Sequence, residues 1–152
     1  MPHKQFEIIE HTADIGIRAF GRTREKLFEN CAIGMMSIIL GADYGKACDL
    51  NDAASSYFNP REEIVEVEAE DGEGLLYSFL AEILYLFEGE NFIPLRFNNS
   101  KIHDRMFTTS IPGVNYDSNL FEIINEVKAV TFHRMKIEKK GDMWQTDVIF
   151  DI

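Results

Sequence analysis

Two stretches of the sequence repeat apolar residues at the spacing of an α-helix, and strand-like segments surround both of them. In the first, Thr23 is a suitable N-cap, and apolar residues recur at every third or fourth position until Gly41. In the second, Asp71 can cap a helix whose apolar stripe runs from Leu75 to Phe87, and Gly89 ends it. These patterns predict two long helices that each bury one face.

Most of the remaining sequence alternates apolar and polar residues, which is typical of half-buried strands. The predicted strands cover residues 6–10, 15–20, 63–69, 92–97, 105–111, 134–139 and 143–150, together with a long β-branched segment at 121–133 that is either continuous or broken near Asn125. Residues 42–60 contain several serine, asparagine and aspartate residues together with Gly45 and Pro60, and we expect an irregular loop there with room for one short helical turn. The chain is therefore predicted to be one α+β domain over residues 1–152. Its architecture is a two-layer sandwich, in which a mostly antiparallel sheet carries two long helices packed on one face.

The charge balance limits the partners of this chain. It has 26 acidic and 15 basic residues, which gives a formal net charge of -11 at pH 7. Proteins that bind nucleic acids draw their affinity from cationic contacts to phosphates, and an acidic surface repels those phosphates. We therefore expect no direct binding of nucleic acid, and a cation or a partner with a basic face is favoured.

The sequence shows no sign of a membrane segment or of a common catalytic motif. Its longest apolar stretches, Cys31–Leu40 and Leu75–Phe87, are shorter than the ~20 residues that a membrane helix needs. Neither Cys31 nor Cys48 belongs to a CxxC pair, and the GxxxxGK[ST], GxSxG and HExxH motifs are absent. We expect a cytoplasmic protein without a signal peptide.

Two segments carry candidate metal ligands. The sequence HTADIG at 11–16 places Asp14 between two predicted strands, and the apolar segment VIFDI runs to Ile152. If that segment is a docked strand, the Asp151 side chain and the Ile152 α-carboxylate lie about 3.3 Å apart along it and repel each other unless a proton or cation intervenes. With Asp14 they would form an oxygen-only site for a hard ion such as calcium or magnesium. Alternatively, Asp14 only caps a turn, Asp151 faces water and Ile152 is a core residue.

Three further residues have both a structural and a functional interpretation. Lys128 interrupts an apolar segment, either as an edge-strand lysine that discourages aggregation or as a cation that neutralises the acidic site or contacts a partner. His133 is either a structural hydrogen-bonding residue or a proton carrier or metal ligand. His11 either pairs with a backbone carbonyl or takes part in the site.

Four segments occur in the order found in archease proteins: HTADIG at 11–16, LLYSFL at 75–80, EVKAVTFH at 126–133 and VIFDI at 148–152. The sequence resembles the archease family over nearly its whole length. This resemblance implies an acidic α+β protein that is not itself an enzyme. It also implies a partner, an RtcB-type RNA ligase, whose active-site histidine becomes guanylylated more readily, so that the ligase turns over repeatedly in tRNA splicing and RNA repair.

The same resemblance implies a metal site at Asp14, Asp151 and Ile152. The cofactor would be a divalent cation, calcium in the first place, with magnesium or manganese as alternatives. Four more residues fall in the family's motifs as partner-binding or site-supporting residues: His11, Lys128, Thr131 and His133. Two other functions stay open. One is a stand-alone metal-dependent hydrolase with His11 or His133 as its general base, and the other is a chaperone-like module that docks through its acidic surface.

Overall fold

The computed structural model describes residues 4–10, 14–49 and 60–152, and within these ranges it contains three helices and nine strands. The helices are α1 (Arg24–Leu40), α2 (Ala42–Asp49) and α3 (Gly72–Glu90). The strands are β1 (Phe6–Glu10), β2 (Ile15–Gly21), β3 (Pro60–Glu68), β4 (Phe92–Pro94), β5 (Asn98–His103), β6 (Met106–Asn115), β7 (Ala129–Val130), β8 (Glu138–Lys140) and β9 (Met143–Asp151).

The strands form two antiparallel sheets. The first has the order β1-β2-β9-β7, with β8 also paired to β9, and the second has the order β3-β6-β4, with β5 also paired to β6. The α+β class, the antiparallel pairing and the two long helices are confirmed. The strands divide between two sheets where the sequence analysis described one, because β3, β4 and β5 pair with β6, whereas β2, β7 and β8 pair with β9. Hydrophobic alternation does not reveal which strands pair.

The two long helices begin where the sequence predicts. Thr23 and Asp71 cap α1 and α3, since their side-chain oxygens accept backbone N–H groups at 3.0 and 2.7 Å. Helix α1 ends at Gly41, which has a φ of 74°. Helix α3 continues past Gly89 and ends at Asn91, which adopts the left-handed conformation with a φ of 57°. No helix in the described part of the chain is long and apolar enough to cross a membrane.

The core lies where the helices meet the two sheets. Helices α1 and α3 contact each other, and each of them contacts strands of both sheets. From the first sheet, the side chains of Ile17, Val148 and Phe150 are fully buried. Burying a large apolar side chain stabilises the fold by about 1.5–3 kcal/mol, and this burial fixes which face of the β2–β9 ladder points inward.

Residues 42–49, which we expected within an irregular loop, form helix α2. Tyr44 and Ala47 lie three positions apart on one face of this helix and are fully buried. The Tyr44 hydroxyl donates a 2.7 Å hydrogen bond to the carbonyl of Pro94. Tertiary burial of these two residues outweighs the polar composition. Residues 50–59 of the expected loop lie outside the described residues, and Pro60 already begins β3.

The β-branched segment at 121–133 is a strand only at Ala129–Val130, so the prediction of a long strand there is wrong. Its first part covers the end of α1 instead. Ile124 and Asn125 donate their backbone N–H groups to the Ile39 carbonyl at 2.7 and 3.3 Å. A helix leaves its last carbonyls without intrahelical partners, and this segment satisfies one of them.

Strand lengths in the second sheet also differ from expectation. Strand β4 stops at Pro94, whereas β6 continues through Pro112 to Asn115, and β5 was not predicted. Pro112 has no N–H group to donate to a ladder, but its carbonyl accepts the N–H groups of Leu95 and Arg96 at 3.0 and 3.2 Å. A proline inside a strand is therefore tolerated here, although it indicated a strand end in the sequence.

Candidate metal centre

The two aspartates that we expected to bind a metal lie at the same end of the β2–β9 ladder. Ile15 and Phe150 are the last paired residues of this ladder. Continuing the antiparallel register by one residue sets Asp14 opposite Asp151. Cα atoms of opposed residues in such a pair lie about 4.5–5.5 Å apart, so the fold brings together two carboxylates from near the two ends of the chain.

These two aspartates belong to the outer face of the first sheet. Ile15 and Phe150 are buried toward the helices, and successive side chains on a strand point to opposite faces. Asp14 and Asp151 therefore share the face that points away from the core. Asp14 is half-buried and Asp151 is exposed, which leaves this pair accessible to an ion.

One carboxylate oxygen of Asp14, Oδ1, is buried and has no hydrogen-bond partner among the described residues. Burying an ionised oxygen without a partner is unfavourable, and a bound cation removes that cost. Calcium and magnesium take carboxylate and carbonyl oxygens as ligands, and sulfur or imidazole ligands suit softer metals. The Asp14 carboxylate thus fits a hard divalent cation.

Among the described residues, Asp14 and Asp151 are the side-chain donors at this place. Within residues 4–10, 14–49 and 60–152, no three His, Cys, Asp or Glu side chains form a group that could hold a metal. A site at Asp14 and Asp151 therefore needs a further donor. The sequence predicts the carboxyl group of Ile152, which follows Asp151 and is itself exposed.

A glycine in the first motif lets the two strands approach each other beside Asp14. A Cβ atom added to Gly16 would lie 2.6 Å from the Val148 carbonyl oxygen and 2.6 Å from Cδ1 of Ile149. Both distances are shorter than real Cβ contacts allow. Gly16 therefore keeps β2 against β9 two residues away from the candidate ligand.

Thr131 fixes the chain after β7 against β9. Its hydroxyl donates a 2.8 Å hydrogen bond to the Ile149 carbonyl, and its backbone N–H donates to the same oxygen at 3.2 Å. The same hydroxyl oxygen accepts the backbone N–H of His133 at 3.3 Å. Thr131 therefore holds the edge of the sheet at Ile149, which lies two residues before Asp151.

Lys128 and His133 are both exposed. The backbone N–H of Lys128 donates to the Asp151 carbonyl at 2.7 Å, which places this lysine beside the candidate site and directly before the edge strand β7. In the part of the chain that the structure describes, no carboxylate lies within 4.0 Å of the Lys128 ammonium group. An exposed edge position agrees with the first interpretation of Lys128 and leaves its charge available to a partner. His11 lies outside the described residues, and its role stays a prediction.

An ion pair on the same face of the ladder, four residues along each strand from the candidate ligands, escaped the sequence analysis. The Arg18 guanidinium binds both carboxylate oxygens of Asp147, at 2.8 and 3.1 Å. This hydrogen bond and the charge of Asp147 raise the pKa of Arg18. Arg18 and Asp147 share the outer face with Asp14 and Asp151, because side chains separated by an even number of residues along a strand point to the same side. Arg18 neutralises Asp147, so that this carboxylate is not free to bind a cation. The opposite charges were visible in the sequence, but the pairing of β2 with β9 was not.

The Archease protein family model matches residues 6–152. The chain belongs to the archease family. The archease of Methanosarcina barkeri is 35% identical over 153 residues, which cover 98% of this chain and 97% of that protein. The archease of Pyrococcus furiosus is 36% identical over 154 residues, covering 98% of this chain and 99% of that protein.

Two solved structures share the archease fold described above. The solution structure of Methanobacterium thermoautotrophicum protein 1598 has a TM-score of 0.70 and 29% identity, and the match covers 97% of this chain and 99% of that one. A crystal structure from Thermotoga maritima, described as an archease and "possible chaperone", has a TM-score of 0.61 and covers 99% of this chain and 100% of that one. Its identity is 22%, so this similarity shows the fold alone.

Two of the archease-like motifs meet in an aromatic stack that the sequence did not reveal. Tyr77 of LLYSFL and Phe132 of EVKAVTFH stack with ring centroids 4.3 Å apart and an interplanar angle of 9°. Phe132 remains 55% exposed. The stack joins α3 to the turn after β7, and so it holds the segment that carries Thr131 and His133. Such a contact depends on the tertiary arrangement and has no local sequence signal.

Proposed function

We propose that this archease is a metal-binding accessory protein of an RtcB-type RNA ligase, not an enzyme in its own right. It promotes guanylylation of the ligase and repeated turnover in tRNA splicing and RNA repair. The observation that carries the proposal is the buried Oδ1 atom of Asp14, which has no hydrogen-bond partner among the described residues and lies one residue beyond the Ile15–Phe150 pair of the β2–β9 ladder, as Asp151 does. Membership of the archease family over residues 6–152 supports it.

Asp14, Asp151 and the carboxyl group of Ile152 hold the cation in this proposal. Calcium is the first candidate, and magnesium and manganese are the alternatives, because all the donors are oxygens. When bound, a divalent cation supplies positive charge that offsets the charge of phosphate groups. Gly16 and Thr131 keep β2, β7 and β9 in register, and so they hold the carboxylates in place.

The acidic surface determines how the protein meets its partner. A net charge of -11 accelerates the encounter with a basic substrate cleft and disfavours direct binding to RNA. Lys128 is then the exposed cation beside the acidic site, and with His133 it is available to contact the ligase or its nucleotide. We expect this activity in the cytoplasm.

The test combines the ligase of the same organism with GTP and an excess of RNA ends. Joining over many turnovers and the mass of guanylylated ligase are measured with and without the archease. We expect the wild-type protein to stimulate both joining and guanylylation, and we expect this stimulation to be at least tenfold lower with Asp14→Asn. Asp142→Asn is the matched control, since Asp142 is an exposed aspartate in the β8–β9 turn, and it should stimulate fully.

The Asp14→Asn variant tests the role of the metal better than a chelator does, because a chelator also removes metals from the ligase. Full stimulation by Asp14→Asn would instead support a chaperone-like module that docks through its acidic surface, in line with the description of the Thermotoga maritima protein. Hydrolysis by the purified archease alone would support the stand-alone hydrolase. Absence of stimulation by the wild-type protein would contradict the ligase proposal.

A further inference from the structure

A groove of about 310 Å³ lies between the C-terminal ends of α1 and α3, and we call it the α1–α3 groove. Its lining includes six residues from four parts of the chain: Ile39, Phe87, Glu88, Tyr116, Glu126 and Val127. Ile39, Phe87 and Val127 are buried, so they form a fixed apolar floor. None of the residues that line the groove is a candidate metal ligand.

Exposed aliphatic side chains adjoin this groove. Leu120, Ile123 and Ile124 are 36%, 48% and 56% exposed, and Ile123 lines the groove itself. The hydrogen bond from the Ile124 N–H group to the Ile39 carbonyl holds this segment in place. Aliphatic side chains that cluster on a surface in an ordered segment mark an interaction site more often than isolated ones do.

Two carboxylates stand at the same groove. In the residues that the structure describes, neither Glu88 nor Glu126 has a cationic side chain within 4.0 Å. Desolvation and the charge of Glu126 raise the pKa of Glu88, as expected for two neighbouring acidic groups, although both side chains are exposed. A cation brought by a partner would relieve this repulsion.

We propose that the α1–α3 groove binds a segment of the partner ligase in which an apolar side chain is flanked by lysine or arginine. The inference rests on the proposed function and names the docking surface that serves it. The apolar side chain packs on Ile39 and Phe87, and the flanking cation pairs with Glu88 and Glu126. A second copy of the archease is disfavoured as the occupant, since its net charge of -11 repels the same carboxylates.

The groove is continuous with the candidate metal centre along the chain. Val127 lines the groove, and the next residue, Lys128, donates its backbone N–H to the Asp151 carbonyl. A ligase segment in the groove therefore lies beside the acidic site. The groove supplies affinity and the metal centre supplies activation, so variants of the two should have different effects.

The experiment measures the dissociation constant of the archease–ligase complex by biolayer interferometry, and stimulation of joining over a range of archease concentrations. The test variants are the double variant Ile123→Ser/Ile124→Ser and the charge reversal Glu126→Lys. The controls are Ile64→Ser and Glu66→Lys, because both residues are exposed on β3, away from the groove. Thermal unfolding of each variant shows that it is folded.

We expect both groove variants to weaken binding at least tenfold and to reach full stimulation only at correspondingly higher concentration. Glu126→Lys should also reduce the dependence of affinity on salt. Asp14→Asn should show the reverse pattern, with unchanged affinity and little stimulation. Wild-type affinity in both groove variants would overturn the docking proposal, and so would failure of the wild-type archease to bind the ligase. Binding that depends on the groove but brings no stimulation would support the docking surface and contradict the proposed function.

Discussion

The backbone N–H of Lys128 donates a 2.7 Å hydrogen bond to the carbonyl oxygen of Asp151. Together with the β7–β9 pairing and the Thr131 bonds to Ile149, this contact joins the EVKAVTFH segment to the last strand and sets the exposed residue Lys128 next to a candidate metal ligand. The contact explains why residues of two distant motifs belong to one surface.

Replacing Thr131 with valine should destabilise the protein by about 1–2 kcal/mol, because the hydroxyl bonds to Ile149 and His133 are lost while the side-chain shape is kept. Thr131→Ser retains the hydroxyl group and should therefore lose less stability than Thr131→Val. Urea denaturation of both variants measures the difference. Equal stability of Thr131→Val and the wild type would show that Thr131 does not hold this edge of the sheet.

Replacing Gly16 with alanine should lower the free energy of unfolding by about 1–3 kcal/mol, since the new Cβ atom forces the backbone of β2 away from the Val148 carbonyl. Gly45→Ala is the matched control, because a Cβ atom there has no neighbour within 4 Å and the residue lies inside helix α2. The free energy of unfolding of Gly45→Ala should rise by about 0.5–1 kcal/mol, because alanine is more favourable than glycine inside a helix. Free energies of unfolding that change equally in the two variants would refute the close approach at Gly16.

The stability of the protein should respond to pH through Glu88. Its pKa is raised above 4.5 by burial and by Glu126, so the ionised form is less favourable in the folded state. The free energy of unfolding that this group contributes is highest below 4.5 and falls as the pH rises through the folded-state value. Glu88→Gln should therefore be more stable than the wild type at pH 7, by about 0.5 kcal/mol or less because solvent screens the charges.

Urea denaturation at several pH values checks this prediction. The advantage of Glu88→Gln should vanish below pH 4.5, where the wild-type carboxyl is protonated. A variant that is less stable than the wild type at pH 7 would contradict the assignment. The result also matters for the docking proposal, since it shows that the groove carries unfavourable charge before a partner binds.

The sequence predicted those parts of the fold that depend on local patterns. The caps at Thr23 and Asp71, the stop at Gly41 and the buried stripe of α3 all follow from helical spacing and from the hydrogen-bonding ability of the cap residues. The turn at Gly141, with a φ of 63°, was likewise visible as a hairpin signal between β8 and β9.

Features that depend on distant contacts were not predictable. Helix α2 exists because Tyr44 is buried and bonds to Pro94, fifty positions along the chain, and its own composition is that of a loop. The segment near Ile124 has strand-like composition, yet it caps the end of α1. In both cases tertiary contacts outweigh local propensity.

The candidate site was predicted in part for the same reason. Asp14 and Asp151 could be chosen from their motifs, but only the β2–β9 register places them opposite each other. The neutralising pair of Arg18 with Asp147 and the α1–α3 groove need the assembled fold. Sequence indicates which residues carry the chemistry, and the pairing of strands decides which of them meet.

The central claim is that Asp14, Asp151 and Ile152 bind a divalent cation, and isothermal titration calorimetry tests it most directly. Calcium, magnesium and manganese are titrated into chelator-treated wild type, Asp14→Asn and the control Asp142→Asn. Thermal unfolding gives a second readout. When the free cation concentration is a hundred times the dissociation constant, binding should stabilise the fold by about 2.7 kcal/mol and raise Tm by about 5–10 °C. We predict one site per chain in the wild type and the control, and none in Asp14→Asn. Absence of binding by the wild type, or equal binding by Asp14→Asn, would contradict the account.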